Sequence, residues 1–345
     1  MSNNIEQQFL ELVRVMEGMQ QRISALENVN QALLRSNRQL IELIDDSQKE
    51  LSAYQRNLSF ELNDPRNEKT DTWYPQIESA KNTIEEILNY GKSLARFGDG
   101  EFAAIEGRIR HRFQNEPDEH LKRRLLEVLQ SQEENLLIGI ADNYGSLEKY
   151  TEQAKREIRC YLNPEVRREH LNLLNPKKIY YDAYVTRPYV MYADNQTEAS
   201  ARRFKELKKI WEKRDCVFVE GCYTGLGVGN DLFDNAQNIH RILGPAENAF
   251  SKYQQILECC LEQKKDSLFL VALGPTATVL TYDLCKAGYQ AVDIGHIDLE
   301  YEWFLKGEGR RTPIDGKYNN ELGQEQQLTP IEDEKYCQQI IADFS

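Results

Sequence analysis

The 345-residue chain is 40% hydrophobic, enough for one large or two modest domains with a real core. Acidic residues outnumber basic ones 56 to 43, a formal charge of −13, and no Lys/Arg block forms a track for a phosphate backbone, so nucleic acid is not an expected partner. No stretch approaches the ~20 apolar residues of a membrane span, and the start Met-Ser-Asn-Asn-Ile-Glu lacks the basic and apolar regions of a signal peptide; the expectation is no integral membrane segment and a cytoplasmic protein. Seven cysteines without a Cys-x-x-Cys pair, Cys216 and Cys285 in apolar segments, point to packed thiols rather than disulfides or zinc.

Residues 1–60 carry one heptad frame. Phe9, Met16, Ile23, Asn30, Asn37, Ile44 and Leu51 fall at a, and Leu12, Met19, Leu26, Leu33 and Leu40 at d. A repeat sustained this long reads as a coiled coil, and asparagines at a positions favour a two-stranded parallel homodimer in fixed register. A polar segment with prolines at 65 and 75 interrupts any helix and reads as a linker over 61–80.

From 81 to 306 apolar strands alternate with amphipathic helices, the signature of an α/β domain with a mainly parallel sheet. The predicted strands are Ser93–Phe97, Asn135–Ala141, Lys178–Tyr184, Cys216–Glu220, Asn238–Leu243, Ser267–Leu273 and Gln290–Ile294. The predicted helices are Thr83–Tyr90, Glu119–Gln130, Ser146–Tyr161, Glu198–Lys213, Asn248–Gln263 and Thr276–Ala287. Residues 307–345 are polar, rich in Gln and Glu, and read as a tail or loose lid.

Ligands of open α/β sheets bind beyond the carboxyl ends of the strands, where four motifs stand. The first is Arg96-Phe-Gly98-Asp99-Gly-Glu101-Phe. Asp99 and Glu101 flank a glycine and are hard oxygen ligands for Mg²⁺ or Mn²⁺, with Gly98 clearing room for a diphosphate; the alternative is a turn before a helix, capped by Asp99. The second, Gly225, Gly227 and Gly229, lets backbone amides approach a phosphate or simply forms a tight turn. It has neither dinucleotide-fold nor P-loop spacing. The third, Gly274-Pro275-Thr276-Ala-Thr278, opens a helix, so free amides and the Thr276 and Thr278 hydroxyls either bind an anion or cap the helix. The fourth brings His296, Asp298 and Glu302 after the last strand. The histidine is a metal ligand, a proton carrier or a structural residue, and the two acids share one helical face, from which either can serve as a general base.

Together the runs Arg-Phe-Gly-Asp-Gly-Glu-Phe, Gly-Val-Gly-Asn-Asp-Leu-Phe-Asp-Asn-Ala, Gly-Pro-Thr-Ala-Thr-Val-Leu and Asp-Ile-Gly-His-Ile-Asp-Leu-Glu-Tyr-Glu-Trp resemble the bacterial GT-D fold glycosyltransferases, a family long catalogued as a domain of unknown function. The resemblance spans roughly Asn82 to Leu305. It implies a Rossmann-like, mainly parallel sheet with flanking helices, here preceded by the coiled coil. It also implies a nucleotide-sugar donor such as UDP-glucose, a hexose moved to a glycan or glycoprotein acceptor, and a Mn²⁺ or Mg²⁺ cofactor. By the same resemblance Asp99 and Glu101 face metal and diphosphate, His296 lies near both, and Glu302, or else Asp298, takes the acceptor proton. Arg96 and the amides at Thr276 to Thr278 would then hold phosphate oxygens. The chain departs from the family at Cys222-Tyr223-Thr224, where a Glu-x-Thr-Arg type of sequence is usual. The coiled coil would pair two catalytic domains or dock them on a partner glycosyltransferase. The competing expectations are a non-catalytic assembly protein with a nucleotide-binding module and a metal-dependent phosphohydrolase.

Overall fold

A computed structural model describes residues 2–62, 73–108, 114–319 and 330–345, and the chain divides into two compact units, 1–58 and 59–345. The first unit is a continuous helix, part of α1 (Ser2–Leu62). Its frame residues are open to solvent along their length: Leu12, Met16, Met19, Ile23, Leu26, Leu33, Leu40, Ile44 and Leu51 are all more than half exposed. The side chain of Phe9 lies outside the described residues, as do residues 63–72 of the linker expected over 61–80.

Among the described residues the second unit is a nine-stranded sheet between helices. In chain order its elements are β1 (Gln76–Glu78), α2 (Ala80–Tyr90), β2 (Ser93–Phe97), α3 (Asp99–Ile105), α4 (Glu119–Gln130), β3 (Leu136–Ile140), α5 (Glu152–Tyr161), α6 (Pro164–Leu173) and β4 (Ile179–Asp182). There follow α7 (Glu198–Lys208), β5 (Asp215–Gly221), β6 (Asn238–Gly244), α8 (Tyr253–Leu261), β7 (Leu268–Ala272), α9 (Pro275–Lys286), β8 (Gln290–Asp293), α10 (Ile297–Lys306), α11 (Glu334–Gln339) and β9 (Ile340–Asp343). Strand order is β1-β4-β3-β2-β8-β7-β5-β6-β9, with parallel pairing throughout. The inner strands are apolar on both faces because helices cover both: in β7, Leu268 to Val271 are fully buried.

All seven predicted strands are present. The additions are the edges, β1 and β9, whose three or four residues carry too little pattern to stand out. Local chemistry moves several helix bounds. The predicted helix from Ser146 starts at Glu152, where the Thr151 hydroxyl accepts the Ala154 amide. The one from Asn248 splits into a 3₁₀ turn at Ala249–Lys252 and then α8, and the one to Lys213 stops at Lys208. Strand β4 ends at Asp182, whose carboxylate accepts the Tyr184 amide at 2.8 Å and starts a 3₁₀ turn.

Residues 307–345, read from their polarity as a tail or lid, contain folded pieces among the described residues. Residues 307–319 form a strap in which Ile314, Lys317, Tyr318 and Asn319 are buried, and β9 extends the sheet alongside β6. Between β2 and β8 the chain leaves the sheet in opposite directions, toward β3 on one side and from β7 on the other. That switch point is where a parallel sheet opens its binding crevice.

Candidate functional site

At the carboxyl end of β2 the chain passes through Gly98 directly into α3. The Gly98 amide donates to Glu101 Oε2 at 2.7 Å, so Glu101 commits one oxygen to closing the helix start, and Asp99 becomes the first helical residue rather than its cap. Arg96, expected on a phosphate, instead bolts three elements together. Its Nε donates to the Asp293 carbonyl at 2.8 Å, Nη2 to Asp293 Oδ1 at 2.7 Å and Nη1 to the Ala183 carbonyl at 3.3 Å. Burial raises the Asp293 carboxyl above the ordinary range, and Arg96 opposes that rise. Gly295, at φ +46°, is required here twice over: its backbone is left-handed, and a Cβ would collide with the Arg96 guanidinium.

Arg187, two positions before a buried tyrosine in the segment after β4, meets the fourth motif. Its Nη2 lies 3.0 Å from His296 Nδ1. A guanidinium only donates, so Nδ1 accepts and the ring hydrogen is assigned to Nε2. In this arrangement His296 suits a donor to a phosphate oxygen better than a metal ligand. Glu300, on α10, accepts the Tyr189 and Val190 amides at 3.0 Å each and so fixes the segment that carries Arg187.

A cavity of about 450 Å³ opens beyond these strand ends. It gathers Arg96, Gly98, Asp99, Glu101, Gly274, His296 and Asp298 from the first, third and fourth motifs. Tyr184 and Asn143, joined by a 2.9 Å hydrogen bond, line it from the ends of β4 and β3, and burial pushes the Tyr184 phenol up. Glu157 and Tyr161 of α5 and Arg311 and Tyr318 of the strap form a further wall, with Arg311 Nη1 2.8 Å from Glu157 Oε2.

Six predicted site residues lie off this cavity. Gly225, Gly227 and Gly229 all have positive φ, and a Cβ on Gly225 or Gly227 would strike Ile331 or Phe233, so the loop's glycines fold it against its own neighbours. Thr278 donates its hydroxyl to the Arg96 carbonyl at 2.8 Å, and Thr276 is buried beside it in α9. Glu302 Oε1 accepts from Asn230 Nδ2 at 2.7 Å and from Lys317 Nζ at 3.0 Å. Asp298 shares both partners: Oδ1 accepts from the Gly227 amide and Asn230 at 2.9 Å each, Oδ2 from Lys317 at 2.6 Å.

Among the described residues no three His, Cys, Asp or Glu side chains converge as a ready-made metal centre. Asp99 and Glu101 are the hard oxygen donors of the first motif at the cavity, and a ligand's phosphate oxygens would complete a set usual for Mg²⁺-type ions. No helix among the described residues is long and apolar enough to cross a membrane.

A family model described as glycosyltransferase GT-D fold matches residues 94–322. The chain is 37% identical over 271 residues to a probable glycosyl transferase, Gly, of Streptococcus gordonii and 36% identical over 269 residues to glycosyltransferase GlyD of Streptococcus pneumoniae. It spans 39% and 32% of those two proteins' lengths. A solved structure described as a new glycosyltransferase from Streptococcus sanguinis superposes with a TM-score of 0.74 at 36% identity, covering 79% of this chain and all of its own. A second, described as a domain of unknown function with a distinct glycosyltransferase fold, gives 0.74 at 30% identity over 84% of this chain and all of its own.

Proposed function

The chain belongs to the GT-D fold glycosyltransferase family, and from that premise we propose that it moves a hexose, glucose or a close relative, from a UDP-type donor to a hydroxyl of a glycan or glycoprotein. The observation that carries this reading is the cavity at the β2/β8 switch point, where Asp99 and Glu101 face the same space as Arg187, His296 and the start of α9. Carboxylates for a cation beside donors for an anion are what a metal–diphosphate group requires.

Asp99 and Glu101 would hold Mn²⁺ or Mg²⁺, which when bound neutralises charge on the departing diphosphate. Arg187 and the Nε2 hydrogen of His296 donate to phosphate oxygens, and the Gly274 turn offers the positive end of α9. As the bond from the anomeric carbon to the diphosphate oxygen breaks, a bond to the acceptor oxygen forms, and the acceptor's hydroxyl proton passes to a carboxylate. We assign that carboxylate to Asp298, the member of the Asp298/Glu302 pair that lines the cavity, with Glu302 as its support. The exposed a/d face of α1 is assigned to pairing with a second copy, since both its asparagines lie at a positions.

The test is calorimetry of UDP, GDP and CDP and their sugar conjugates, with and without Mn²⁺, on wild type and Asp99→Asn. The expected result is metal-dependent binding of the UDP series, lost in the variant. No binding across the panel by folded protein overturns the donor assignment.

A further inference from the structure

We propose that Lys317 is a positioning residue for the Asp298/Glu302 pair, and that the strap carrying it, residues 307–319, completes the active site rather than trailing from it. This rests on the glycosyltransferase reading for its catalytic consequence, but its structural part stands alone.

Asp298 and Glu302 sit one helical turn apart on α10, and both residues are at least nine-tenths buried. A pair of carboxylates out of water needs a cation in contact, because the loss of hydration is offset only by close opposite charge with good hydrogen bonds. Lys317 meets that need. Its ammonium, itself buried, lies 2.6 Å from Asp298 Oδ2 and 3.0 Å from Glu302 Oε1. The neighbouring acid Glu220, which acts electrostatically on Asp298, is already matched by Arg241. From the opposite side the glycine loop reaches the same pair through the Gly227 amide and the Asn230 side chain, which bridges both acids. Strap, α10 and glycine loop therefore meet at one network of five residues, Asp298, Glu302, Lys317, Asn230 and Gly227.

The strap is also stitched along its length. Trp303 Nε1 donates to the Thr312 carbonyl at 2.9 Å, Arg311 pairs with Glu157 of α5, and the Tyr318 amide donates to the Tyr223 carbonyl at 3.1 Å. Arg311 and Tyr318 line the cavity, so docking the strap both orients Asp298 and builds a cavity wall. Tyr223 lies in the run that leads from β5 into the glycine loop, so the strap also rests on the approach to that loop.

The experiment compares the full-length wild type with K317M, K317R and the charge-balanced double variant E302Q/K317M. Trypsin reads strap docking directly, since Arg310 is exposed and Arg311 follows it. Cleavage there in K317M should rise about tenfold, tracking the undocked population, while the rest of the domain resists. With UDP-glucose and Mn²⁺, UDP affinity should stay within about twofold and kcat should fall about a hundredfold with little change in KM, the pattern of a displaced reacting group. K317R should regain strap protection and part of kcat. The double variant should regain thermal stability but not kcat.

Unchanged cleavage and kcat in K317M overturn the proposal. So does full recovery of kcat in E302Q/K317M, which would reduce Lys317 to charge balance. Should K317M not fold, K317Q takes its place. If wild type neither binds UDP nor releases it from UDP-glucose, the functional reading fails, and the trypsin arm alone decides whether Lys317 docks the strap.

Discussion

The same residue types lead opposite lives in the two units of this chain. Leucines and isoleucines of the first unit are exposed, Leu26 by 68% and Ile23 by 56%, whereas Leu268 and Leu270 of β7 are sealed on both faces of the sheet. The α/β unit therefore completes its core by itself. The helix displays an apolar stripe that nothing in its own unit covers, and such a stripe calls for a partner. The proposed division gives chemistry to one unit and assembly to the other, and it can be broken at several points.

The largest expected effect is in the sheet. Phe269 of β7 is fully buried with its ring 5.2 Å from that of Tyr289, and Phe269→Ala should lower the unfolding free energy by about 3–5 kcal/mol in urea titration. Leu26→Ala, made in the exposed stripe, should change domain unfolding by less than about 0.5 kcal/mol. A comparable loss in both would erase the distinction between the units. Next comes Asp99→Asn, expected to cut UDP-glucose turnover by about 10²–10³-fold, the scale of losing one electrostatic contact to a transition state. Sedimentation should show its association unchanged.

Asp182 sharpens the comparison through pH. It is buried at the end of β4, and burial, reinforced by Asp142, raises its carboxyl to about 7. The native state thus holds its proton more tightly than the unfolded chain does, so stability declines as pH rises from about 4 to about 7. Asp182→Asn keeps an oxygen for the Tyr184 amide and cannot ionise. It should be more stable than wild type at pH 8, by on the order of a few kcal/mol, and lose that advantage by pH 4. Thermal melts across this range check it. A flat difference would mean that the carboxyl ionises freely.

How much of this was legible in the sequence follows from how local each signal is. Inner strands such as Cys216–Glu220 announce themselves because burial on both faces demands continuous apolar runs. Edge strands β1 and β9 do not, since their pairing depends on partners about a hundred residues away. The Asp-Gly-Glu motif lies at a strand end that lines the cavity. That Glu101 rather than Asp99 closes the helix start is visible only in its contact with the Gly98 amide. The chemistry of Thr276, Thr278 and the glycine loop permits either a ligand role or plain capping and turn formation, and spacing does not choose between them. What Thr278 and the loop touch, the Arg96 carbonyl and the loop's own neighbours, is tertiary and invisible to spacing. Arg187 and Lys317 carry no motif at all. One is a single arginine after a strand, the other a lysine in a polar stretch, and each matters only because the fold brings it to His296 or to Asp298.

The smallest expected effect on the domain, and the largest on assembly, comes from Leu26→Lys with Leu33→Lys. Both positions are d sites in the heptad frame and both are more than half exposed. Charges there cost a lone helix little, because each ammonium stays in water. In a two-stranded seam the same charges face each other across the core positions, where burial of an unpaired cation is strongly unfavourable. If α1 pairs with a second copy, the double variant should sediment as a monomer at concentrations where wild type is a dimer. Domain unfolding should move by less than about 0.5 kcal/mol, and turnover per chain should be unchanged. A dimer that survives both lysines would place the contact elsewhere and leave the stripe to a different partner. A monomer with lost turnover would mean that the two units do not divide the work, because catalysis would then depend on the pairing the helix supplies.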